Sequence, residues 1–434
     1  MTASAKTRSL FRQRSFMLLW SGQTISLFGT QLTAIALPIT AVVVLDVSPF
    51  EAGLLRALET LPFLFFGLAV GVLLDRRARR PFLLVANIVA AAALSSVPVA
   101  YLMGRLTILQ LFVVVFIVGT ATVFFDIGYQ SYLPNLMGRD RLMEANAKMQ
   151  VSESTTDVVS PGLAGVLISA ITAPYVLVID VVSYLVSVVT IFGLPADSRP
   201  AAASGPDGQV AASVWASMQE GIRLVGRHPL LRWCTTAAVV TNFCVSGLMA
   251  VFFLFLIRAA GMGPAQVGLV LSVGSAGAVA GGLVVDRLTH RFGVGPMLVQ
   301  STALPGLGYL MLAAVHGHSV WAVGTAAVAD FVAMFALPLF NVTVITLRQV
   351  ATPDHLLGRA NATVRTFAWG AVSLGALLGG VLGSTLGLRA TIVIAAATVF
   401  AASATLFFSP VRRARQLDGM EPGEAAPNTA PLPT

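Results

Sequence analysis

Charged side chains are scarce in this sequence. Asp, Glu, Lys and Arg make up 11% of its residues, whereas about 25% is usual in soluble domains. Hydrophobic residues make up 56%, and the mean hydropathy is +0.84. This composition excludes a soluble globular protein and predicts an integral membrane protein.

Groups that support catalysis or metal binding are also few, with five histidines and two cysteines. The sequence contains no nucleophile–base–acid set, no His/Cys cluster with metal spacing and no nucleotide-binding loop. We therefore predict no enzymatic activity, no metal, no cofactor and no self-contained ATP-driven pump. Cys234 and Cys244 lie ten residues apart on one predicted helix. That separation, about 15 Å, is too long for a disulfide, so we predict structural thiols.

A continuous basic stripe is missing too, although the formal net charge is +8. The Lys and Arg residues lie in short loops between apolar runs. We therefore expect no nucleic-acid partner, and we attribute the basic charge to membrane topology.

Apolar runs are abundant, and most are about 20 residues long, the length that crosses a hydrocarbon core of about 30 Å. They predict twelve transmembrane helices, at 16–44, 52–74, 82–103, 107–129, 146–171, 174–194, 230–257, 264–285, 295–315, 319–345, 360–385 and 389–408. The charged segment 134–150 is predicted to be a cytoplasmic connector, with a short surface helix that starts near Asp140 and merges at its end into the fifth predicted helix.

Composition changes divide the chain into an N-terminal bundle (1–194), a cytoplasmic linker (195–229), a C-terminal bundle (230–409) and a disordered cytoplasmic tail (410–434). Within the linker, residues 215–224 have helical spacing of apolar residues. They are either an amphipathic helix on the inner membrane surface or part of a solvated tether.

One basic motif occurs once in each half of the chain. Gly71-Val-Leu-Leu-Asp75 is followed by Arg76, Arg77, Arg79 and Arg80, and Gly282-Leu-Val-Val-Asp286 recurs 211 positions later with Arg287 and Arg291. Arginines cross a bilayer at high cost, so both loops are predicted to be cytoplasmic. On this topology 22 Lys/Arg residues lie on the cytoplasmic side and four on the other side. Both termini are therefore predicted to be cytoplasmic.

A second repeated segment supports a duplication. Leu142-Met-Glu-Ala-Asn-Ala precedes the fifth predicted helix, and Leu357-Gly-Arg-Ala-Asn-Ala precedes the eleventh, 215 positions later. The prediction is an all-α membrane protein with two parallel-repeat six-helix bundles, for which a substrate site near the membrane midplane is expected.

The glycine-Asp-Arg motif resembles the cytoplasmic loop signature of the major facilitator superfamily of secondary transporters. The segment Trp20-Ser-Gly-Gln-Thr-Ile-Ser-Leu-Phe-Gly29, Leu61-Pro62 and the Ala-Asn-Ala entry to the fifth helix are similar to the bacterial branch of enterobactin exporters and macrolide efflux pumps. The resemblance extends from Phe16 to Phe408.

The resemblance implies a conformational latch. In the superfamily the motif Asp faces the start of the eleventh helix, and a later Arg pairs with an acid on the fourth, which correspond here to Asp75, Arg79 and Asp126. The family glycine at position 78 is Ala, so a position that tolerates positive φ is altered. The second copy has His290 in place of the pairing Arg and has no equivalent of Asp126. The latch residues are Gly71, Asp75, Arg76, Arg79, Arg80, Asp126, Gly282, Asp286, Arg287 and Arg291.

The fifth helix contains Ser160-Pro161-Gly162-Leu-Ala164-Gly165, which resembles the superfamily's antiporter motif. Pro and small residues suit a helix that bends and packs closely. Packing related to antiport and ordinary close packing are both open.

Ionisable residues inside the predicted spans are candidates for proton or substrate coupling, because they are costly in a membrane. Asp330 is favoured, on a helix that lines the cavity by family analogy. For Asp157, a structural hydrogen bond is as good an explanation as coupling. For Arg56 and Glu59, an i, i+3 ion pair is as good an explanation as coupling. Asp180 is expected to be structural.

We therefore predict a secondary active transporter in the bacterial plasma membrane, which exports an amphipathic small molecule such as an antibiotic, drug or siderophore in exchange for protons. The alternatives are a proton symporter that imports a small metabolite and a receptor without transport. The expected partners are membrane lipid, the substrate and protons, and we expect a monomer.

Overall fold

Twelve long α-helices make up nearly all of the part of the chain that the structure describes. The structure is a computed structural model, and it describes residues 10–75, 77–137, 141–195, 222–223, 226, 229–352 and 354–408. Within these ranges the helices are α1 Arg14–Val43, α2 Pro49–Asp75, α3 Arg79–Leu102, α4 Ile108–Met137, α5 Leu142–Ile171, α6 Ala173–Phe192, α7 Pro229–Leu254, α8 Pro264–Phe292, α9 Val294–Ala313, α10 Val320–Ala351, α11 Asp354–Thr385 and α12 Leu388–Phe408. A short 3-10 helix, Leu10–Arg12, precedes α1, and a π-helical turn, Phe255–Ala259, extends α7. The predicted all-α fold is confirmed.

Short turns with recognisable signals separate the helices. Ser48 and Glu51 form a capping box at the start of α2, in which the Glu51 amide donates to Ser48 Oγ (3.2 Å) and the Ser48 amide donates to Glu51 Oε2 (2.7 Å). Five glycines with positive φ lie in the turns, at Gly104, Gly261, Gly293, Gly317 and Gly387, a backbone conformation that glycine adopts without strain.

Ten helices of the described chain are long and apolar enough to cross a membrane. The two long helices outside that group are α2 and α9. Large apolar side chains, such as Leu283 and Trp321, are exposed on the helix surfaces. Contiguous exposure of apolar side chains is expected where lipid is the solvent.

Several helices are longer than their apolar runs predicted. α4 continues to Met137, and α5 begins at Leu142. The short helix predicted to start near Asp140 and to merge into the fifth span therefore forms the first turns of α5 itself. Ion pairs of Glu144 with Arg141 (3.5 Å) and Lys148 (3.8 Å) lie on this extension. Ion pairs at i, i+3 and i, i+4 spacings stabilise a helix. They can do so outside the membrane core, where hydropathy does not predict whether polar residues are helical.

The chain divides into two compact units. The first comprises Met1–Ala203 and Leu256–Ser272. Within it, α1 packs on α5 and α6, α4 packs on α2 and α3, and α3 packs on α6. Val70, Leu74 and Val123 form an apolar cluster between α2 and α4.

The second unit comprises Ser204–Phe255 and Val273–Thr434. Within it, α7 packs on α10, α11 and α12, and α9 packs on α10 and α12. Its apolar core includes Leu298, Phe340, Leu347 and Leu406. Each unit is thus a helical bundle with its own buried core.

Two regions named in the sequence analysis lie largely or wholly outside the described residues. Of the linker segment 215–224, only Ile222 and Arg223 are described, and both are helical. The tail 410–434 falls wholly outside the described ranges. The predicted domain boundaries therefore stay predictions.

Candidate functional site

The first glycine-Asp-Arg segment spans the turn between α2 and α3. Arg79 and Arg80 lie on the first turn of α3, beyond the loop to which the sequence assigned them. Ala78 precedes α3 with φ of −60°, so a left-handed backbone is not required at this position. Arg76 and the Asp75 side chain are outside the described residues.

Arg80 contacts the end of α6. Its Nε atom donates to the Ile191 carbonyl (3.1 Å), and its terminal nitrogen donates to the Phe192 carbonyl. The guanidinium group also lies 5.5 Å from the centre of the Phe192 ring. The last carbonyl groups of a helix lack amide donors from a following helical turn, and Arg80 supplies side-chain donors to two of them. A Cβ atom added at Gly71 would meet open space, so packing in this conformation does not explain that glycine.

The second segment is helical, and the prediction of a loop there is wrong. Gly282, Asp286, Arg287 and Arg291 all lie on α8, which ends at Phe292. Asp286 pairs with His290 at 3.3 Å, and the side chains of both residues are more than four-fifths exposed. The residues between Asp286 and Gly293 include no glycine or proline that would end the helix. Gly293 itself has a φ of +86°.

Asp126 lies on α4 and lines a small cavity inside the first unit. The cavity has a volume of about 90 Å³ and is lined by residues of α1, α3, α4 and α6. Its other polar lining residues are Gln23, Ser26, Thr30, Asn87, Thr122 and Tyr184. The pairing of Asp126 with Arg79, and with it the predicted latch, stays a prediction.

Asp180 on α6 is fully buried and has hydroxyl donors. Thr33 Oγ1 donates to one carboxyl oxygen (2.6 Å) and Ser183 Oγ donates to the other (2.8 Å). A Cβ atom at Gly29 would collide with the Asp180 side chain. A glycine at this position of α1 therefore leaves room for the acid. The contacts agree with the structural role expected for Asp180.

Asp330 lies about three turns into α10 and is 6% exposed. Its carboxyl group lies directly over Gly274 of α8, where any Cβ atom would overlap it. Among the described residues, the carboxyl has neither a hydrogen-bond donor nor an ion-pair partner. This combination of burial and missing partners distinguishes Asp330 from Asp180.

The antiporter-like motif lies at a close helix crossing within the first unit. A Cβ atom at Gly165 would lie 2.9 Å from the Cα atom of Gly268 on α8, and one at Gly162 would lie 2.8 Å from Ser272 Oγ. Ser160 and Ala164 are fully buried, and Pro161 lies inside α5. The predicted close packing is therefore present, and a role in antiport stays a prediction.

A second acid, missed in the sequence analysis, accompanies Asp157 on α5. Glu153 lies one turn earlier, and the side chains of both acids are exposed on the surface of α5. Gln31 of α1 donates its amide N–H to Asp157 Oδ1. The sequence could have identified Glu153 by its i, i+4 spacing from Asp157, which places the two acids on one face of the helix.

Arg56 and Glu59 form the ion pair that their spacing allowed, with a nitrogen–oxygen distance of 2.7 Å. Each side chain is roughly two-fifths exposed. This contact gives both residues a structural partner within α2, and their role in coupling stays a prediction.

Arg258 forms a polar cluster that the sequence analysis did not anticipate. It lies on the π-helical turn after α7, and π-helical turns frequently mark functional positions. Its terminal nitrogens donate to the carbonyls of Val47 (2.6 Å) and Val42 (3.3 Å) and pair with Asp46 Oδ1 (2.6 Å). All of these groups belong to the first unit.

Metal-binding clusters are not found in the described ranges, where no group of three or more His, Cys, Asp or Glu side chains is placed to hold a metal. Cys234 and Cys244 are free and buried, in agreement with their prediction as structural thiols.

Comparison with known proteins gives matches along almost the whole chain. The family model described as "Transmembrane secretion effector" matches residues 5–430. The chain is 25% identical over 398 residues to the multidrug efflux pump Tap of Mycolicibacterium fortuitum, covering 90% of this chain and 94% of Tap. It is 26% identical over 376 residues to the enterobactin exporter EntS of Citrobacter koseri, covering 84% and 85%. The predicted resemblance to the enterobactin-exporter branch is thus confirmed.

The fold also matches solved transporters. The crystal structure of the nucleoside transporter NupG superposes with a TM-score of 0.70 and 11% identity, covering 91% of this chain and 98% of NupG. At this identity the match supports the fold alone. Because the family model covers nearly every residue, we conclude that this chain is a multi-pass membrane transporter of the Transmembrane secretion effector family, within the major facilitator superfamily.

Proposed function

We propose that this protein exports an amphipathic small molecule, such as an antibiotic, drug or siderophore, and takes up protons in exchange. The observation that carries the proposal is the burial of Asp330 without a donor or cation among the described residues. Its relatives support the direction of transport, because they are named as a multidrug efflux pump and an enterobactin exporter.

Asp330 has the properties required of a proton carrier. Burying an ionised carboxylate without a partner is costly, so the neutral acid fits the observed surroundings best. A carrier must also become charged in another conformer, where water or a cation reaches it. Coupling then follows because each conformer prefers one protonation state.

Asp157 is the second candidate, beside the bending proline of α5. Its carboxylate already accepts a hydrogen bond from Gln31, and Glu153 lies on the neighbouring turn. Two acids one turn apart repel each other when both are charged, which favours binding of a single proton by the pair.

We further propose the finer architecture on which this mechanism depends. The chain spans the bacterial plasma membrane twelve times, as a monomer of two parallel six-helix repeats with both termini in the cytoplasm. Packing within the units supports the repeat, because the pairs α1–α5, α1–α6, α3–α4 and α3–α6 have counterparts in α7–α11, α7–α12, α9–α10 and α9–α12. The latch at Asp75, Arg79 and Asp126 would stabilise one conformer of this assembly.

The test is transport in everted membrane vesicles, with ethidium as a cationic amphipathic probe and an imposed proton gradient. We expect wild-type vesicles to accumulate the probe and Asp330→Asn vesicles to lose gradient-driven accumulation, while passive counterflow remains measurable. Asp157→Asn, assayed in parallel, shows whether coupling also passes through α5.

Three outcomes would contradict the proposal. Wild-type accumulation by Asp330→Asn excludes this acid as an obligatory carrier. Accumulation only in right-side-out vesicles identifies an importer. If a drug-susceptibility screen of cells with and without the gene shows no difference and no vesicle orientation accumulates the screened compounds, amphipathic efflux is wrong.

A further inference from the structure

Two exposed acids on α5 have no cationic partner. Glu153 and Asp157 lie within the apolar segment Glu144–Ile171, which is long enough to span a membrane, and both side chains are exposed. Asp157 accepts a hydrogen bond from Gln31, but no Lys, Arg or His of the described chain pairs with either acid. Acids at this depth are costly against lipid and usually face a water-filled path. This face of α5 therefore belongs to an aqueous path.

The same face also carries a buried hydroxyl without a partner. Ser160 lies within about 60° of both acids around the helix axis. It is 0% exposed, and its Oγ atom has no hydrogen-bond partner in the described part of the chain. The exposed part of the face ends here, because Ser160 and the following Ala164 are fully buried. Buried hydroxyls normally have a partner, which a ligand that reaches this closed end would supply.

Aromatic rings accompany the acids. Tyr129 on α4 is close enough to Glu153 to interact with its charge, and its buried hydroxyl has no hydrogen-bond partner among the described residues. The Tyr129 ring stacks on Phe125 with 6.1 Å between the ring centres. Negative charge beside aromatic rings attracts organic cations. A metal such as Ca²⁺ fits less well, because it takes about six to eight oxygen ligands and no third acid joins the pair in the described ranges.

We propose that Glu153 and Asp157 bind the cationic group of the exported molecule, an amine or a quaternary ammonium, with the Tyr129 ring beside it. The inference rests on the proposed function for the direction of transport, and it adds the charge of the substrate. Because the pair repels anions, it selects the cationic members among amphipathic molecules. Asp330 keeps its place as the proton carrier of the proposed function.

Equilibrium binding to the purified full-length protein in detergent tests the site. The probes are tetraphenylphosphonium and, in a separate assay, tetraphenylborate, which has nearly the same shape and the opposite charge. The wild type is expected to bind tetraphenylphosphonium saturably and to show no saturable binding of tetraphenylborate. Glu153→Gln and Asp157→Asn should each weaken tetraphenylphosphonium binding about tenfold, as expected for the loss of an interaction with a charged group.

Glu144→Gln is the matched control, since it makes the same chemical change on the same helix at a surface ion pair, and it should bind like the wild type. Three results overturn the site: no saturable tetraphenylphosphonium binding by the wild type, equal affinity for tetraphenylborate, or wild-type affinity in the monodisperse acid variants. If neither acid variant is monodisperse, Tyr129→Leu decides. Weakened tetraphenylphosphonium binding in that variant supports the site, and unchanged binding overturns it.

Failure of this inference is distinguishable from failure of the proposed function, because binding in detergent requires neither a proton gradient nor a direction of transport. Cation binding that depends on the two acids, together with no gradient-driven accumulation in vesicles, supports the site and contradicts export. Gradient-driven export with unchanged binding in both acid variants contradicts the site and supports the proposed function.

Discussion

At the scale of single residues, Asp180 and Asp330 show how different surroundings separate two similar acids. Each is buried and each lies against a glycine of another helix, Gly29 for Asp180 and Gly274 for Asp330. Asp180 receives hydrogen bonds from two hydroxyl groups, whereas Asp330 has no such donor in the described chain. The first arrangement stabilises a fixed structure, and the second leaves a carboxyl group whose charge state can change.

Gly274→Ala is expected to destabilise the protein, because the added methyl group would overlap the Asp330 carboxyl. Overpacking of this kind costs about 1–3 kcal/mol. Gly282→Ala on the same helix is the matched control. Its Cβ atom would meet open space, and the change should stabilise the helix by up to about 1 kcal/mol. Thermal unfolding in detergent compares the two, and equal unfolding temperatures would contradict the observed contact.

The Arg258 cluster allows a prediction about which of its contacts matters. Asp46→Asn should cost about 0–1 kcal/mol, as usual for exposed ion pairs, because the Asp46 side chain is 89% exposed. Its φ of +49° is tolerated by Asn, so the backbone stays unchanged. Arg258→Ala also removes the bonds to two carbonyls and should cost about 1.5–3 kcal/mol. Thermal unfolding of both variants is the measurement, and a larger loss in Asp46→Asn would show that the ion pair dominates.

At the scale of helices, the two copies of the glycine-Asp-Arg motif occupy different structures. The first spans the end of α2 and the start of α3, whereas the second continues along α8. Their sequences are alike, yet the turn after Asp75 includes Ala78 with an extended backbone, and the helix after Asp286 continues to Phe292. The motif therefore does not specify one backbone conformation.

Asp75→Asn is expected to impair transport with little loss of folded protein, because the superfamily resemblance places this acid in the latch. A coupling of about 1–2 kcal/mol would shift a two-state population about tenfold. Asp286→Asn makes the same change in the second copy and should impair transport less, because that copy lacks the pairing Arg and an equivalent of Asp126, and Asp286 pairs with an exposed histidine. Vesicle transport normalised to expression measures both. Equal rates in the two variants would rule out a latch specific to the first half.

At the scale of the whole molecule, the distribution of basic residues sets the expected orientation in the membrane. The 22 Lys and Arg residues assigned to one side of the twelve-span topology, against four on the other, place the α2–α3 turn in the cytoplasm by the positive-inside rule. The turn between α9 and α10, which contains His318, then faces outward.

Cysteine labelling tests this orientation, after replacement of the buried Cys234 and Cys244. A membrane-impermeant maleimide added to intact cells should label His318→Cys and leave Arg77→Cys unlabelled until the membrane is permeabilised. Arg77 is exposed in the α2–α3 turn, so burial would not prevent labelling. The reverse pattern would invert the topology and place both termini outside.

The sequence by itself determined that this is an all-helical membrane protein, because length and apolarity of a segment are local properties that a bilayer converts into a spanning helix. It also determined the resemblance to exporters, because the motifs are contiguous. Helix ends were less predictable. α4, α5 and α8 extend into polar residues, where hydropathy no longer distinguishes a helix from a loop.

Only the tertiary structure decided which acids on the helices have partners. The donors to Asp180, the Gln31 contact to Asp157 and the glycine beneath Asp330 come from positions that are distant in sequence or depend on helix rotation. The same holds for the Asp126 cavity, whose lining comes from four helices. The reason is physical: spacing along a chain fixes which face of its own helix a residue occupies, and the partner of that face is set by how the helices pack.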